Sequence, residues 1–292
     1  MRILLIIFFL FFTSLNANTT DISLALSWKN QFQFAGYFVA KEKGFYKDAG
    51  LNVDIIEYDL QRDISQEIAT LKYDFGVGHS SLILDKLNRG LDIVMLAAIN
   101  QSSPLVLLAK ERLDIKTIVD IAGKKIMMSN DQTYIASINA MLSSANFKQN
   151  SFEVIPTSFN PIDLINGNAD LMISYAPNEP FYLKEKGISY TIFDPKEYGY
   201  DFYSDILFTS AQMIQKDPKV VDDFYKATMK GWRYAYANMQ ESVEIIVDKY
   251  NTQNKSLKAL LFEAEALKKL AFKEGVNFGD INRLKFTVVV KN

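Results

Sequence analysis

Apolar and polar residues alternate over Ile22-Ser23-Leu24-Ala25-Leu26, the period-two pattern of a half-buried strand. A polar and aromatic elbow follows: Trp28, Lys29, Asn30, Gln31, Phe32 and Gln33. Phe34, Tyr37, Phe38 and Lys41 then recur at three- and four-residue spacing, as along a helix. Gly44 and Gly50 break the chain, and Val53-Asp54-Ile55-Ile56-Glu57 resumes the strand period. Strand, loop, helix, strand reads as a βαβ unit. Its first loop lies at the carboxyl end of a strand, where α/β proteins present ligand-contacting residues.

The rhythm continues. Strands are predicted at 22–27, 52–58, 74–78 and 92–99, with helices at 34–43, 62–71 and 80–89 between them, a parallel α/β pattern. Strand 104–109, a short helix 118–123 ended by Gly123 and strand 125–128 follow. Helix 133–146 has Asn130 or Asp131 available as caps. Then come strand 152–156, helix 160–167, strand 170–175, helix 179–186, and strands 188–193 and 205–209. The remainder is mostly helical: 210–215, 218–237, 240–250 and 255–273. Asp74-Phe75-Gly76-Val77-Gly78-His79 and Asp170-Leu171-Met172-Ile173-Ser174-Tyr175 form an internal echo, each placing an Asp, an apolar strand and then polar residues after a helix and turn. Two similar α/β lobes would produce it, each a mostly parallel sheet flanked by helices. The expected division is 18–103 plus 205–292 for the first lobe and 104–204 for the second, hinged at strands near 104–109 and 205–209.

Met1-Arg2, the apolar run Ile3 to Phe12 and the exit Leu15-Asn16-Ala17 have the form of a secretory signal peptide over residues 1–17. The run is too short for a stable bilayer span, which takes about 20 residues. An exported, periplasmic protein is expected. Removing Arg2 takes the formal net charge from −2 to −3. Such mild acidity argues against a nucleic-acid partner, since phosphate binding needs a basic footprint. The absence of Cys excludes disulfides, thiol chemistry and a lipid-anchor cysteine. Aromatic residues reach 13%, in keeping with a binding cleft.

Trp28 with its amide-rich loop, Ala40 to Gly50, Asp74-Phe75-Gly76-Val77, Gly123-Lys124-Lys125-Ile126 and Asn178-Glu179-Pro180 together resemble the periplasmic binding proteins of the thiamine-pyrimidine and sulfonate group. The resemblance spans about 20–285 and rests on the order and spacing of these segments. It implies a type II periplasmic binding fold, two α/β lobes closing on a small planar polar ligand, and an ABC permease as partner. The ligand it implies is a thiamine pyrimidine precursor of the formylaminopyrimidine or hydroxymethylpyrimidine type; an alkanesulfonate or taurine is the alternative. The same domain serves as the sensor of histidine kinases and diguanylate cyclases, and a truncated receptor is a further alternative. The pyrimidine-synthase branch uses a lysine-bound pyridoxal phosphate and a histidine. Gly78 and Leu82 stand at the positions aligned with them, so no cofactor is expected, and neither is an enzyme. A monomer is expected.

The candidate ligand residues are Trp28, Asn30, Gln31, Tyr37, His79, Ser80, Ser81, Ser129, Tyr175, Asn178, Glu179 and Tyr203. Each has a structural alternative. Trp28 reads as a stacking ring or as core. His79, the only histidine, reads as a ligand contact or a structural residue; alone it cannot build a multi-His metal site. Ser80 and Ser81 open a helix whose free N–H groups accept an anion or carbonyl, or they cap it. Ser129 belongs to the matching entrance of the second lobe, or to a capped surface turn. Glu179, between Pro177 and Pro180, would accept from a ring amine and repel a sulfonate; otherwise it complements a helix dipole. Tyr203 closes an aromatic cluster with Tyr198, Tyr200 and Phe202 that reads as a stacking wall or as hinge packing.

Overall fold

The computed structural model describes residues 19–59, 62–112, 114–147, 151–282 and 285. The leader expected over 1–17 lies outside them.

The chain runs β1 (Thr20–Ala25), α1 (Ala35–Glu42), α2 (Phe45–Asp48), β2 (Leu51–Ile56), α3 (Ile64–Ala69), β3 (Phe75–Gly78), α4 (Ser80–Asn88) and β4 (Ile93–Asn100). It continues with β5 (Leu105–Lys110), β6 (Lys125–Met128), α5 (Ala136–Ser144), β7 (Glu153–Pro156), α6 (Pro161–Asn166), β8 (Leu171–Tyr175), α7 (Glu179–Glu185) and β9 (Tyr190–Phe193). It closes with β10 (Ser204–Ser210), α8 (Ala211–Lys216), α9 (Pro218–Ala237), α10 (Met239–Lys249) and α11 (Leu257–Ala271). The helix expected from Thr133 starts later, at Ala136. Asp131 Oδ1 accepts the N–H groups of Thr133 and Tyr134, both at 3.0 Å, and so makes a tight turn ahead of the helix.

Two five-stranded sheets result, ordered β2-β1-β3-β10-β4 and β7-β6-β8-β5-β9. They are mixed and mostly parallel, as expected, with one antiparallel strand in each. β10 runs antiparallel to β3 and β4, and β5 runs antiparallel to β8 and β9. The cause is geometric. The cleft faces the carboxyl ends of the parallel strands. β5 arrives from β4 of the other sheet, and β10 from β9, so each enters its sheet from the cleft side and runs away from it.

The two sheets have the same spatial plan, and the repeated Asp has the same task in both. Asp74 Oδ2 accepts from the backbone N (2.8 Å) and Oγ (2.7 Å) of Ser23 on β1. Asp170 Oδ2 accepts from the backbone N of Lys125 at the start of β6, 2.9 Å. Each carboxylate ties the entry of its lobe's third parallel strand to the neighbouring strand.

Helix α9 starts at Asp217, whose carboxylate accepts from Val220 N at 3.1 Å, and carries Pro218 in its first turn. Val220, Val221, Phe224, Ala227, Thr228, Gly231, Trp232 and Ala235 form its buried stripe. This stripe packs on α1, so the C-terminal helices share the first lobe's core. The crossing is close: a Cβ on Gly231 would meet the Gly36 carbonyl oxygen at 2.2 Å, and one on Gly36 would meet Trp232 at 2.2 Å. The contact fixes α1, and with it the loop 27–33 that leads into the helix.

Candidate functional site

The carboxyl ends of the strands converge from both sheets. From the first come the loop after β1 (Ser27, Trp28, Gln31, Gln33), Tyr58 beyond β2, and His79 after β3. From the second come Ser129 to Tyr134 after β6, Phe159 after β7, and Tyr175 to Glu179 after β8. They enclose two adjoining spaces. The inner chamber is small, about 40 Å³, and is lined by Gln31, Gln33, Ser174, Tyr175, Asn178 and Glu179 with apolar Leu105 and Ile173. The outer cavity, about 470 Å³, is lined by Tyr58, Ser65, Gly78, Leu82 and Ser129 among others. Trp28, His79, Tyr134 and Phe159 border both.

A hydrogen-bonded network forms the chamber floor and joins the lobes. Asp205, buried near the start of β10, accepts from Gln33 Nε2 at 2.6 Å, from Asn100 Nδ2, and from the Tyr175 hydroxyl at 2.9 Å. Glu263 on α11 is fully buried and accepts from Gln33 N, 2.9 Å. Lys255 Nζ donates to Gln31 Oε1 (2.6 Å), Asn178 Oδ1 (2.7 Å) and Glu263 Oε2 (3.1 Å). Glu179 Oε2 accepts from Tyr175 N (2.7 Å) and Ser174 Oγ (3.0 Å). The floor thus carries three carboxylates and one ammonium, that of Lys255, which pairs with Glu263 and acts on Glu179. Burial raises Asp205 to about 6 and raises Glu179 and Glu263 as well, because desolvation disfavours the charged form. Burial also lowers His79 to about 4, with the Asp131 charge opposing the drop. The imidazole is therefore neutral at pH 7, with Nδ1 3.3 Å from Ser204 Oγ.

The arrangement brings seven of the expected residues to the cavities: Trp28, Gln31, His79, Ser129, Tyr175, Asn178 and Glu179. Asn30 and Ser81 line neither space. The backbone of Asn30 is spent locally, its N–H on Glu57 (2.7 Å) and its carbonyl on Gln253 (3.0 Å). Three expectations are corrected. Tyr37 is fully buried in the α1–α9 core, edge-on to Trp232 at 5.6 Å. Ser80 is buried, donates its Oγ proton to the Tyr203 carbonyl at 2.6 Å and lines neither space. Tyr203 is buried in a core cluster of the first lobe, with Ile206 and Phe208, and lines neither space. Tyr198 and Tyr200 pack on the second lobe's core, so this cluster is packing and no stacking wall. The aromatic wall is instead Trp28, Tyr58, Tyr134 and Phe159.

Asp205, Lys255 and Glu263 carry no local motif. Glu263 does leave a trace, because it interrupts the buried face of α11 between Ala259 and Leu267, each four residues away. A charge there demands a buried partner. Among the described residues, no group of three or more His, Asp or Glu could hold a metal ion, and no helix is long and apolar enough to cross a membrane.

The family described as NMT1/THI5 like matches residues 31–242. The chain is similar to the riboflavin-binding protein RibY of Chloroflexus aurantiacus, 24% identical over 238 residues, covering 79% of this chain and 67% of that protein. It is also similar to the formylaminopyrimidine-binding protein of Halalkalibacterium halodurans, 21% identical over 262 residues, covering 86% of this chain and 79% of that one. Among solved structures it resembles the periplasmic aliphatic sulphonate binding protein SsuA of Escherichia coli, with a TM-score of 0.72 at 12% identity over 93% of this chain and 89% of that one. At that identity the likeness establishes the two-lobed periplasmic-binding-protein fold.

Proposed function

The chain belongs to the NMT1/THI5-like family, and on that premise we propose that it is an exported solute-binding protein for a planar, amino-bearing nitrogen heterocycle. The ligand class is that of the thiamine pyrimidine precursors, formylaminopyrimidine or hydroxymethylpyrimidine. The lobes, taken as 18–103 with 205–292 and as 104–204, close over the ring, and the loaded monomer delivers it in the periplasm to an ABC permease.

One observation carries the reading: an acceptor-rich chamber opens beneath an aromatic wall. Glu179, Gln31 and Asn178 line it, with Asp205 and Glu263 in the network behind. Ring amines are donors and match carboxylate and amide oxygens. In the inner chamber a sulfonate would meet Glu179 at the wall, with Asp205 and Glu263 behind it, against the ammonium of Lys255, a repulsive balance in a desolvated site. Binding by shifting a population from open to closed lobes accounts for the role without any chemical step. Gly78 and Leu82 line the outer cavity at the positions aligned with the synthase lysine and histidine, and neither can form an imine or transfer a proton.

A larger ligand is the second reading. The outer cavity of about 470 Å³ is of the size that encloses a multi-ring molecule, and one relative is named for riboflavin. Calorimetry on the full chain with formylaminopyrimidine, hydroxymethylpyrimidine, riboflavin and taurine tests both. A pyrimidine signal with no taurine signal is expected. Riboflavin alone would select the larger ligand, and taurine alone would overturn the heterocycle reading.

A further inference from the structure

We infer that Phe159 is a specificity-determining residue of this cleft, the jaw of the second lobe that covers the face of a planar ligand ring against Trp28. The inference rests on the reading of the cleft as a heterocycle site and deepens it.

The four rings bordering both spaces are paired across the lobes. Trp28 and Phe159 meet edge to face, with centroids 5.3 Å apart and planes at 64°. His79 and Tyr134 meet in the same way, at 4.8 Å and 75°. A flat molecule reaching from the outer cavity to Glu179 and Asn178 has to pass this border. Two rings set edge to face are easily turned to offset stacking on an inserted third ring, since both arrangements satisfy the aromatic quadrupoles.

Phe159 is distinguished from the other three by its backbone and its exposure. It has φ of +55° and is 39% exposed. A left-handed conformation is unusual for a bulky side chain, and such residues persist where the surroundings over-determine them, commonly at ligand clamps. The surroundings here are explicit. Phe159 N donates to Thr157 Oγ1 (3.1 Å), Asn160 N to Ser158 Oγ (3.1 Å), Ile162 N to Asn160 Oδ1 (3.0 Å), and Ser158 Oγ to Asp163 Oδ2 (2.5 Å). This scaffold turns the ring out of the second lobe, where it joins neither core cluster, and onto Trp28 of the first. A residue serving only the fold would gain by burial in its own lobe.

The test uses the full chain with Phe159→Ala, Phe159→Tyr and Phe159→Asn. Asn tolerates the left-handed backbone, so it removes the ring without altering the turn. Probes are hydroxymethylpyrimidine, formylaminopyrimidine and riboflavin, read by calorimetry. Alanine and asparagine are expected to weaken the probe that binds roughly ten- to hundredfold, the range for loss of one stacked aromatic, while tyrosine stays near wild type. Unchanged affinity in both ring-less variants would overturn the inference. A second readout needs no ligand. Acrylamide quenching of tryptophan emission reports Trp28, because Trp232 is fully buried. Phe159→Ala is expected to raise quenching, and unchanged quenching would overturn the jaw contact. If no probe binds the wild type, the heterocycle reading fails on its own, and quenching alone decides whether Phe159 closes over Trp28.

Discussion

The Tyr175 hydroxyl donates to Asp205 Oδ2 at 2.9 Å, and this bond spans the cleft floor from one lobe to the other. Tyr175 ends β8 of the second sheet, whereas Asp205 sits in β10 of the first. Asp205 takes φ of +53°, a left-handed backbone within a strand, as its carboxylate collects donors from Gln33, Asn100 and Tyr175. Asn178 and Lys255 make a parallel link at 2.7 Å. The lobes are therefore joined by polar contacts that involve no ligand.

Tyr175→Phe removes one donor from this junction. A hydrogen bond to a charged group contributes about 1.5–3 kcal/mol, but opening the cleft would rehydrate Asp205 and recover part of that. A net loss of about 1 kcal/mol of closing free energy is expected, lowering ligand affinity about fivefold. Small-angle scattering should record a larger radius of gyration without ligand, at an unchanged melting temperature. Identical scattering and affinity in the variant would mean that the bond does not hold the lobes together.

The sequence makes the strands, the order of the lobes and the repeated Asp legible, because each follows from local periodicity and turn chemistry. The strand ends of the cleft follow directly, and so Trp28, Gln31, His79, Ser129 and Tyr175 to Glu179 are readable. The floor is not. Lys255 and Glu263 reach Gln31 and Gln33 from more than 220 residues away, and no local pattern encodes such a meeting. Tyr37 misleads for a related reason. Its helix face is apolar on either reading, and only the Gly36–Gly231 crossing shows which face meets α9.

Tyr37→Phe tests that correction. The Tyr37 hydroxyl is buried with no well-aligned hydrogen-bond partner, and the same holds for Trp232 Nε1 and Tyr236 Oη. A buried unsatisfied hydroxyl costs about 1–3 kcal/mol, so its removal should leave stability unchanged or raise it by about 1 kcal/mol. Ligand affinity should not change. Urea unfolding and calorimetry check both, and a loss of affinity would return Tyr37 to the site.

The pH dependence of stability separates two opposed groups. Asp205 has a folded pKa of about 6, raised above its ordinary 3.8 by burial. The folded state therefore binds its proton first, and stability rises as pH falls from about 6 toward 4. Glu179 and Glu263 are raised too and act in the same direction. His79 is lowered by burial from 6.5 to about 4, so the unfolded state binds its proton first and stability falls across nearly the same window. Each of these two shifts corresponds to at most about 3 kcal/mol. Relative to wild type, His79→Gln should gain stability on going from pH 7 to pH 4, and Asp205→Asn should lose it. Urea denaturation at the two pH values measures these differences. Parallel curves for all three proteins would show that neither group is desolvated in solution.

Glu179→Gln distinguishes the ligand classes at a single atom pair. Glu179 Oε2 takes the N–H of Tyr175 and the hydroxyl of Ser174, and a glutamine carbonyl can take both while the charge is lost. Burial already raises the Glu179 pKa, so removing the charge should not destabilise the fold. An amino heterocycle donating to the carboxylate would lose a charge-assisted bond, about 1.5–3 kcal/mol, or roughly ten- to hundredfold in affinity. A sulfonate would instead bind more tightly, because one of the repelling charges around Lys255 is gone. Calorimetry with hydroxymethylpyrimidine and with taurine on both proteins reads the two cases with opposite signs. A variant that binds taurine better and the pyrimidine no worse would reverse the assignment of the ligand class.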